Sequence, residues 1–122
     1  MKLPLFKLMF FVFLFSCNDS KEDLTQALEA LQPQLVIHAA GLTSIEQCES
    51  NPTLAKYINV DLTKNLVMVC AKLSIPMVYI STDHLFSGSE SLVHEDCSVS
   101  PVNVYAKTKA EAEACVLDSD TK

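Results

Sequence analysis

Glycine is the residue that this sequence conspicuously lacks. Its 122 residues include only two glycines, Gly41 and Gly88, where average usage would give roughly eight. Residues 1–40 contain none. The first turn of a complete dinucleotide-binding fold uses three glycines, which let the backbone approach a pyrophosphate closely. The sequence therefore excludes such a turn from its first forty residues.

The composition also argues against a metal-binding protein, a nucleic-acid-binding protein and a membrane-spanning protein. The five cysteines are odd in number and widely spread, and no Cys/His group has zinc-ligand spacing. We therefore expect no metal site, and reduced thiols in a cytoplasmic protein. The net charge of −6 argues against tracking nucleic-acid phosphates. No apolar run is long enough to span a bilayer as a helix, so we expect no membrane span.

The longest apolar run lies near the amino terminus. Leu8 to Phe15 follows Lys2 and Lys7, a pattern typical of a secretory signal peptide. The residues before Cys17 also resemble a lipoprotein cleavage box, which would lipidate that cysteine. A buried β-strand is the structural alternative. We favour a segment foreign to the fold, with export second, and divide the chain into an apolar segment 1–16 and a domain 17–122.

The domain alternates helices with short apolar strands. Ser20 and Asp23 predict a capped helix that ends before Pro33, and Asn51-Pro52 predicts the start of a second. The buried stripe of that second helix is predicted to comprise six apolar residues: Leu54, Ile58, Leu62, Leu66, Val69 and Leu73.

Two strands, a loop and a third helix complete the pattern. The strands are predicted at Leu35 to His38 and at Met77 to Ser81, the loop runs to about Ser100, and Pro101 opens the last helix towards Leu117. Such alternation predicts an α/β fold, a partial Rossmann-like, doubly wound parallel sheet. Ligands of these sheets bind beyond the carboxyl ends of the strands.

The last helix carries a pair of residues suited to carbonyl reduction. Tyr105 and Lys109 are four residues apart and share one helix face. Reduction of a ketone needs an acid for the forming alkoxide, and a nearby ammonium lowers the high pKa of a phenol by stabilising the phenolate. The alternative is a surface helix with ordinary ion pairs, Lys107 with Glu111 and Lys109 with Glu113.

A hydroxyl-rich segment follows the second predicted strand. It reads Ser81-Thr82-Asp83 and continues to Gly88. A hydroxyl at the carboxyl end of a strand can hydrogen-bond a substrate carbonyl beside the tyrosine. The alternative is a simple turn, because Ser, Thr, Asp and Gly are all favoured in turns.

Four segments together resemble a known family. They are VIHAAGLTSIEQCESNP, INV, VYISTDHLFSG and PVNVYAKTKAEAE, in this order between residues 36 and 113. They resemble the extended short-chain dehydrogenase/reductase superfamily, and within it the dTDP-4-dehydrorhamnose reductases. These enzymes use NADPH or NADH to reduce a 4-keto sugar attached to a nucleotide diphosphate.

The resemblance implies a role for each matching residue. Thr82 is the catalytic hydroxyl, Tyr105 the general acid, and Lys109 tunes Tyr105 and holds the nicotinamide ribose. The remaining cofactor-binding residues are Ala39, Ala40 and Gly41 by backbone contact, with Thr43 nearby and Ser81 near the nicotinamide. Asn59 matches a structural asparagine of the family. His84 departs from the family's usual tyrosine.

The resemblance also leaves two functions open. The family's amino-terminal glycine turn and carboxy-terminal substrate-binding part have no counterpart here, so we expect a fragment truncated at both ends that is inactive alone. The alternative is a non-catalytic regulatory or binding module, as in the regulatory subunit of methionine adenosyltransferase. An exposed sheet edge would then bind a protein partner. The particular sugar nucleotide, the choice between NADP and NAD, and the oligomeric state are not encoded in these residues.

Overall fold

A small parallel sheet is the centre of the fold. The computed structural model describes residues 8–11, 20–89 and 91–119. Within them, three strands lie side by side in the order β1-β2-β3, all parallel. Leu35 of β2 pairs with Leu8 of β1, and Val36 of β2 pairs with Met77 of β3. The strands are β1 (Leu8–Phe11), β2 (Leu35–His38) and β3 (Met77–Tyr79).

Helices connect the strands and follow the last of them. They are α1 (Lys21–Leu31), α2 (Ile45–Ser50), α3 (Pro52–Lys56), α4 (Leu62–Lys72) and α5 (Val104–Leu117). A π-helical turn, Tyr57–Asp61, joins α3 to α4, and a 3₁₀ turn, Asp83–Leu85, follows β3. The predicted α/β class with a Rossmann-like parallel sheet is confirmed.

The first helix begins and ends where the sequence predicts. Ser20 Oγ accepts a hydrogen bond from the backbone N–H of Asp23 at 3.3 Å, and Asp23 Oδ2 accepts from the backbone N–H of Ser20 at 3.0 Å. This reciprocal capping box satisfies two N–H groups that lack partners within the helix. Gln32 then adopts a left-handed conformation with φ of 45°, and the chain turns into Pro33.

The hydrophobic core lies between α1, α4 and one face of the sheet. It is formed by Leu24, Leu28, Val36, Leu66, Val69 and Cys70, with Met77 packed against it. Side chains alternate between the faces of a sheet, so Val78 and Ile80 lie on the opposite face, 44% and 49% exposed. The described helices of this core therefore supply one of the two helical layers of a doubly wound sheet.

The π-helical turn changes the predicted stripe of the second helix. Leu62, Leu66 and Val69 are buried as predicted, but Leu54 is 38% exposed and its neighbour Ala55 is fully buried. A π turn inserts one extra residue, which rotates α3 by about 100° relative to α4. The prediction for Leu54 was wrong because a continuous 3.6-residue period cannot anticipate this insertion.

Two other boundaries differ from the predicted ones. The last helix begins at Val104 rather than at Pro101, because the Asn103 side chain accepts from the N–H of Ala106 at 2.8 Å and Glu49 accepts from the N–H of Val104 at 2.7 Å. Helix α2 was not predicted, since its six residues carry only Ile45 and Cys48 as an apolar pair.

The amino-terminal apolar run contributes a strand. Leu8–Phe11 pairs with β2 along its whole length, as the strand alternative expects. Residues 12–19, including Cys17, lie outside the described residues, so the domain boundary at residue 16 and the export hypotheses stay predictions. Among the described helices, none is long and apolar enough to cross a membrane.

Asn59 offers a test of how the π turn is anchored. Its carboxamide makes two hydrogen bonds to the backbone of Leu42 and one to Thr108, and the residue is 1% exposed. We expect Asn59→Leu, which keeps the shape but leaves polar partners unsatisfied, to lower the free energy of unfolding by about 2–4 kcal/mol. Urea unfolding measures the change. Asn65→Leu, in α4 but partly exposed, is the control, and equal losses in both variants would contradict the anchoring role.

Candidate active site

The predicted site residues gather at the carboxyl ends of β2 and β3. Ala39, Ala40 and Gly41 follow β2, while Ser81 and Thr82 follow β3, and the two strands are hydrogen-bonded neighbours. The N–H of Ile80 also bonds the carbonyl of His38 at 3.0 Å, which keeps the strand ends together. Parallel strands place these ends at one edge, where such folds bind ligands.

The turn after β2 is held by Asn59. Asn59 Oδ1 accepts from the backbone N–H of Leu42 at 2.7 Å, and its Nδ2 donates to the carbonyl of Leu42 at 3.1 Å. Nδ2 also donates to Thr108 Oγ1 on α5 at 2.9 Å. A Cβ added at Gly41 would lie 3.0 Å from Asn59 Oδ1, so glycine permits this close approach. Thr43 lies beyond the clamped turn and is exposed.

Thr82 caps the short 3₁₀ turn that follows β3. Its Oγ1 accepts from the backbone N–H of His84 at 3.2 Å, and its own proton faces Asp83 Oδ1 at a long 3.4 Å. Leu85 anchors the turn at 4% exposure, and its carbonyl accepts from the N–H of Ser100 at 2.8 Å. The turn alternative and the functional one are thus compatible, because the weakly held hydroxyl proton remains available to a ligand.

Tyr105 stands in the first turn of α5. Its ring packs in a cluster with Cys48 and Ala55, and it is 9% exposed. The ring of His84 meets it edge-on, with centroids 5.7 Å apart. The segment that carries Thr82 therefore contacts the helix that carries Tyr105.

Lys109 lies one turn further along α5, with its ammonium buried. It is 5% exposed, donates to the carbonyl of Ile80 at 2.7 Å, and lies 4.1 Å from the centroid of the Tyr79 ring. Burial lowers the pKa of Lys109 to about 8, an effect that Glu113 partly opposes. The surface ion-pair alternative does not describe this helix, because Glu111 instead bridges Lys56 and Lys64 on neighbouring helical segments.

Ser81 has an unused hydroxyl. Its Oγ is buried and, within the described residues, has no hydrogen-bond partner. A buried hydroxyl without a partner costs free energy, so such atoms are candidates for a ligand contact. Ser81 lies between Ile80, which holds Lys109, and Thr82.

A buried network of hydrogen bonds lies next to the site and connects β2 to the π-helical turn. His38 Nε2 lies 2.8 Å from Thr63 Oγ1, and Thr63 Oγ1 donates its single proton to the carbonyl of Asn59 at 2.8 Å. The threonine must therefore accept from His38, which places the histidine proton on Nε2. Burial, with a smaller contribution from Lys109, lowers the pKa of His38 to about 4, so the ring is neutral at neutral pH.

The sequence analysis did not connect these supporting residues to the site. Asn59 has a structural role, as the resemblance implies, and the structure joins it and His38 to the site through Thr63, Leu42 and Thr108. The available signal was a set of polar side chains at buried positions of a helix and a strand, since buried polar groups need partners. Which partners they find depends on tertiary contacts far apart in sequence.

The residues present fit one half of a dinucleotide. The unpartnered Ser81 hydroxyl and a buried Lys109 ammonium with no carboxylate contact, within the described residues, suit a nicotinamide and the hydroxyls of its ribose. The pyrophosphate half of a dinucleotide binds at a glycine-rich turn, and residues 1–40 contain no glycine. Within the described residues, no group of three or more His, Cys, Asp or Glu is placed to hold a metal ion.

Comparison with known proteins identifies the family of this chain. The family model described as "RmlD substrate binding domain" matches residues 16–122. The methionine adenosyltransferase 2 subunit beta of Xenopus laevis is 33% identical over 76% of this chain and 28% of its own length. The dTDP-4-dehydrorhamnose reductase of Salmonella typhimurium is 28% identical over 87% of this chain and 36% of its own.

A solved structure extends the agreement to the fold. A dTDP-4-dehydrorhamnose reductase from Bacillus anthracis, in complex with NADP, superposes with a TM-score of 0.77 at 28% identity, over 82% of this chain and 36% of that one. The fold thus defines a Rossmann-like α/β protein. The chain belongs to the RmlD substrate binding domain family, and it spans about a third of the length of these relatives.

The buried His38 predicts how stability depends on pH. Above pH 6.5 the ring is neutral in the folded and unfolded chain, so protonation has no effect. Between pH 6.5 and about 4, only the unfolded chain takes up this proton, so the free energy of unfolding falls with falling pH, by up to about 3 kcal/mol in total. Below about 4 this contribution levels off.

Unfolding by urea at several pH values measures this slope. We expect His38→Gln, which keeps a polar partner for Thr63, to flatten the slope over this range, and the exposed His94→Gln to leave it unchanged. A slope that is the same in both variants and in the unmodified chain would contradict a neutral buried His38.

Proposed function

We propose that this chain carries the nicotinamide-side half-site of an NAD(P)-dependent reductase that acts on a 4-keto nucleotide sugar. Thr82, Tyr105 and Lys109 are the catalytic residues. Ala39, Ala40, Gly41, Thr43 and Ser81, together with Tyr105 and Lys109, contact the cofactor. Membership of the reductase family and the NADP-bound solved relative support the cofactor class, with NADPH or NADH as the alternatives.

One observation carries the proposal. Lys109 keeps a buried ammonium at the carboxyl end of β3, one helical turn from Tyr105, with a carbonyl and a ring as its contacts. Burial of an ammonium without a carboxylate costs free energy. That cost is reasonable where the charge has a task, such as stabilising a phenolate or donating to ribose hydroxyls.

The chain's own residues divide the work of reduction. A bound reduced nicotinamide supplies the hydride. Tyr105 Oη holds the proton that passes to the carbonyl oxygen, and the Lys109 ammonium stabilises the phenolate left behind. Thr82 Oγ1, whose proton is only weakly engaged by Asp83, donates to the same carbonyl oxygen and orients it.

Binding of half a cofactor tests the half-site directly. Reduced nicotinamide mononucleotide contains the nicotinamide and ribose but lacks the adenylate half. We expect the chain to bind this mononucleotide, with binding measured by the fluorescence of the reduced nicotinamide. We expect Lys109→Met to weaken binding about tenfold or more, because the charged donor is lost. Lys107→Met, an exposed lysine two residues earlier, is the matched control. Equal binding by both variants would remove Lys109 from the site.

The proton donor is tested by Tyr105→Phe. The turnover assay uses this chain joined to an amino-terminal glycine-turn segment and a carboxy-terminal part of a dTDP-4-dehydrorhamnose reductase, with NADPH and a 4-keto sugar nucleotide. We expect kcat to fall by about 10²–10⁴ because the general acid is lost, with unfolding by urea little changed. Unchanged turnover would show that another group donates the proton.

A regulatory or binding module is the second candidate. Its support is the similarity to methionine adenosyltransferase 2 subunit beta at 33% identity, together with an open apolar surface. The exposed sheet edge expected from the sequence stays a prediction: β1 pairs with one edge of β2, and β3 is the last described strand on the other side. Val78 and Ile80 add exposed apolar side chains on one face of the sheet. Stoichiometric co-sedimentation with a methionine adenosyltransferase catalytic chain, without nicotinamide mononucleotide binding, would favour this candidate over the reductase.

A further inference from the structure

We propose that Tyr79 is the positioning residue of the site: the face of its ring holds the Lys109 ammonium at the carboxyl end of β3. The inference rests on the proposed function for its consequence, since Lys109 is the residue proposed to tune Tyr105 and hold the ribose. Its physical content, a cation held on an aromatic face, is independent of any ligand.

The Tyr79 ring is one of two direct contacts that the Lys109 ammonium makes within the described residues. The ammonium lies 4.1 Å from the ring centroid and, in the part of the chain that the structure describes, donates to one carbonyl, that of Ile80, at 2.7 Å. A cation over an aromatic face at this distance is attracted by the ring quadrupole, and more strongly when water is excluded. Lys109 is 5% exposed, so the attraction acts where solvent screens it little.

The Tyr79 ring also packs against the ring of His38. The His38 ring lies 5.5 Å from the Tyr79 ring, tilted by 44°. His38 in turn bonds Thr63, which bonds the Asn59 carbonyl in the π-helical turn. Packed side chains and hydrogen bonds thus connect the π turn to the ammonium, and a ring fixed in this way holds its cation in one place.

The charged and titratable groups around Lys109 favour a neutral Tyr79. Burial raises the pKa of Tyr79 well above its usual range, so its hydroxyl keeps its proton and the ring acts as a neutral π-face. His38 on β2 is neutral because burial lowers its pKa to about 4. On α5, Glu113 raises the pKa of Lys109, and the charges of Tyr105, Glu113 and Cys115 add to the rise in the pKa of Tyr79. None of these groups replaces the ring as a direct contact of the ammonium.

Graded fluorination of the ring tests the proposal without changing its shape. Tyr79 is replaced by Phe, and then by phenylalanines with one, two and three ring fluorines, which progressively cancel the quadrupole. The pKa of Lys109 is followed by its ¹³Cε shift, assigned by its loss in Lys109→Met. We expect the pKa to fall stepwise, by about one unit over the series, a roughly tenfold change in the ratio of ammonium to amine.

Controls and outcomes separate this inference from the proposed function. The same fluorination at Phe86, in the turn after β3, is expected to leave the pKa of Lys109 unchanged. A flat titration series at position 79 in folded protein would overturn the positioning role, even if nicotinamide mononucleotide binds. A stepwise fall without any nucleotide binding would support the role of Tyr79 and count against the reductase half-site.

Discussion

The carboxamide of Asn59 joins the turn after β2 to helix α5 through side-chain hydrogen bonds. It clamps both backbone groups of Leu42 in the turn after β2 and the hydroxyl of Thr108 on α5. The backbone carbonyl of Asn59 accepts a hydrogen bond from Thr63 Oγ1, which in turn accepts one from the His38 ring. Asn59 lies within the π-helical turn, Tyr57–Asp61. Gly41 has no Cβ that would obstruct the contact between the Asn59 carboxamide and the turn after β2. This clamp fixes α5, and with it Tyr105 and Lys109, relative to the strand ends.

A second constraint is the burial of a cation. Most buried lysines pair with a carboxylate, because an unpaired ammonium in a low-dielectric interior costs several kcal/mol, on the order of the total stability of a small domain. Lys109 instead has a carbonyl and an aromatic face, which partly replace water while leaving the charge uncancelled. A cation stabilised in this way remains available to a phenolate or to ligand hydroxyls, and Ser81 adds a hydroxyl nearby that has no partner within the described residues.

Both candidate functions use the same scaffold and differ in what covers it. The relatives include a dTDP-4-dehydrorhamnose reductase and a methionine adenosyltransferase 2 subunit beta, and the chain spans about a third of each. The strand ends carry the polar groups of the proposed reductase site, whereas the apolar residues Val78 and Ile80 lie on the sheet face away from the helices of the core. A nucleotide would use the strand ends and a protein partner the open face, so the two surfaces can be probed separately.

The sequence alone determined the local features. The capping box at Ser20, the strand at Leu35–His38, Asn51-Pro52 at a helix start and the i, i+4 spacing of Tyr105 and Lys109 all follow from backbone chemistry and helical period, which are encoded by neighbouring residues. The family resemblance rested on the same local segments. The tertiary structure decided the rest: the π turn that exposes Leu54, the later start of α5 set by Glu49, the strand at Leu8–Phe11, and the burial of Lys109 on Tyr79. Each depends on a contact between residues distant in sequence, and hydrophobic period and turn chemistry carry no information about which distant groups will meet.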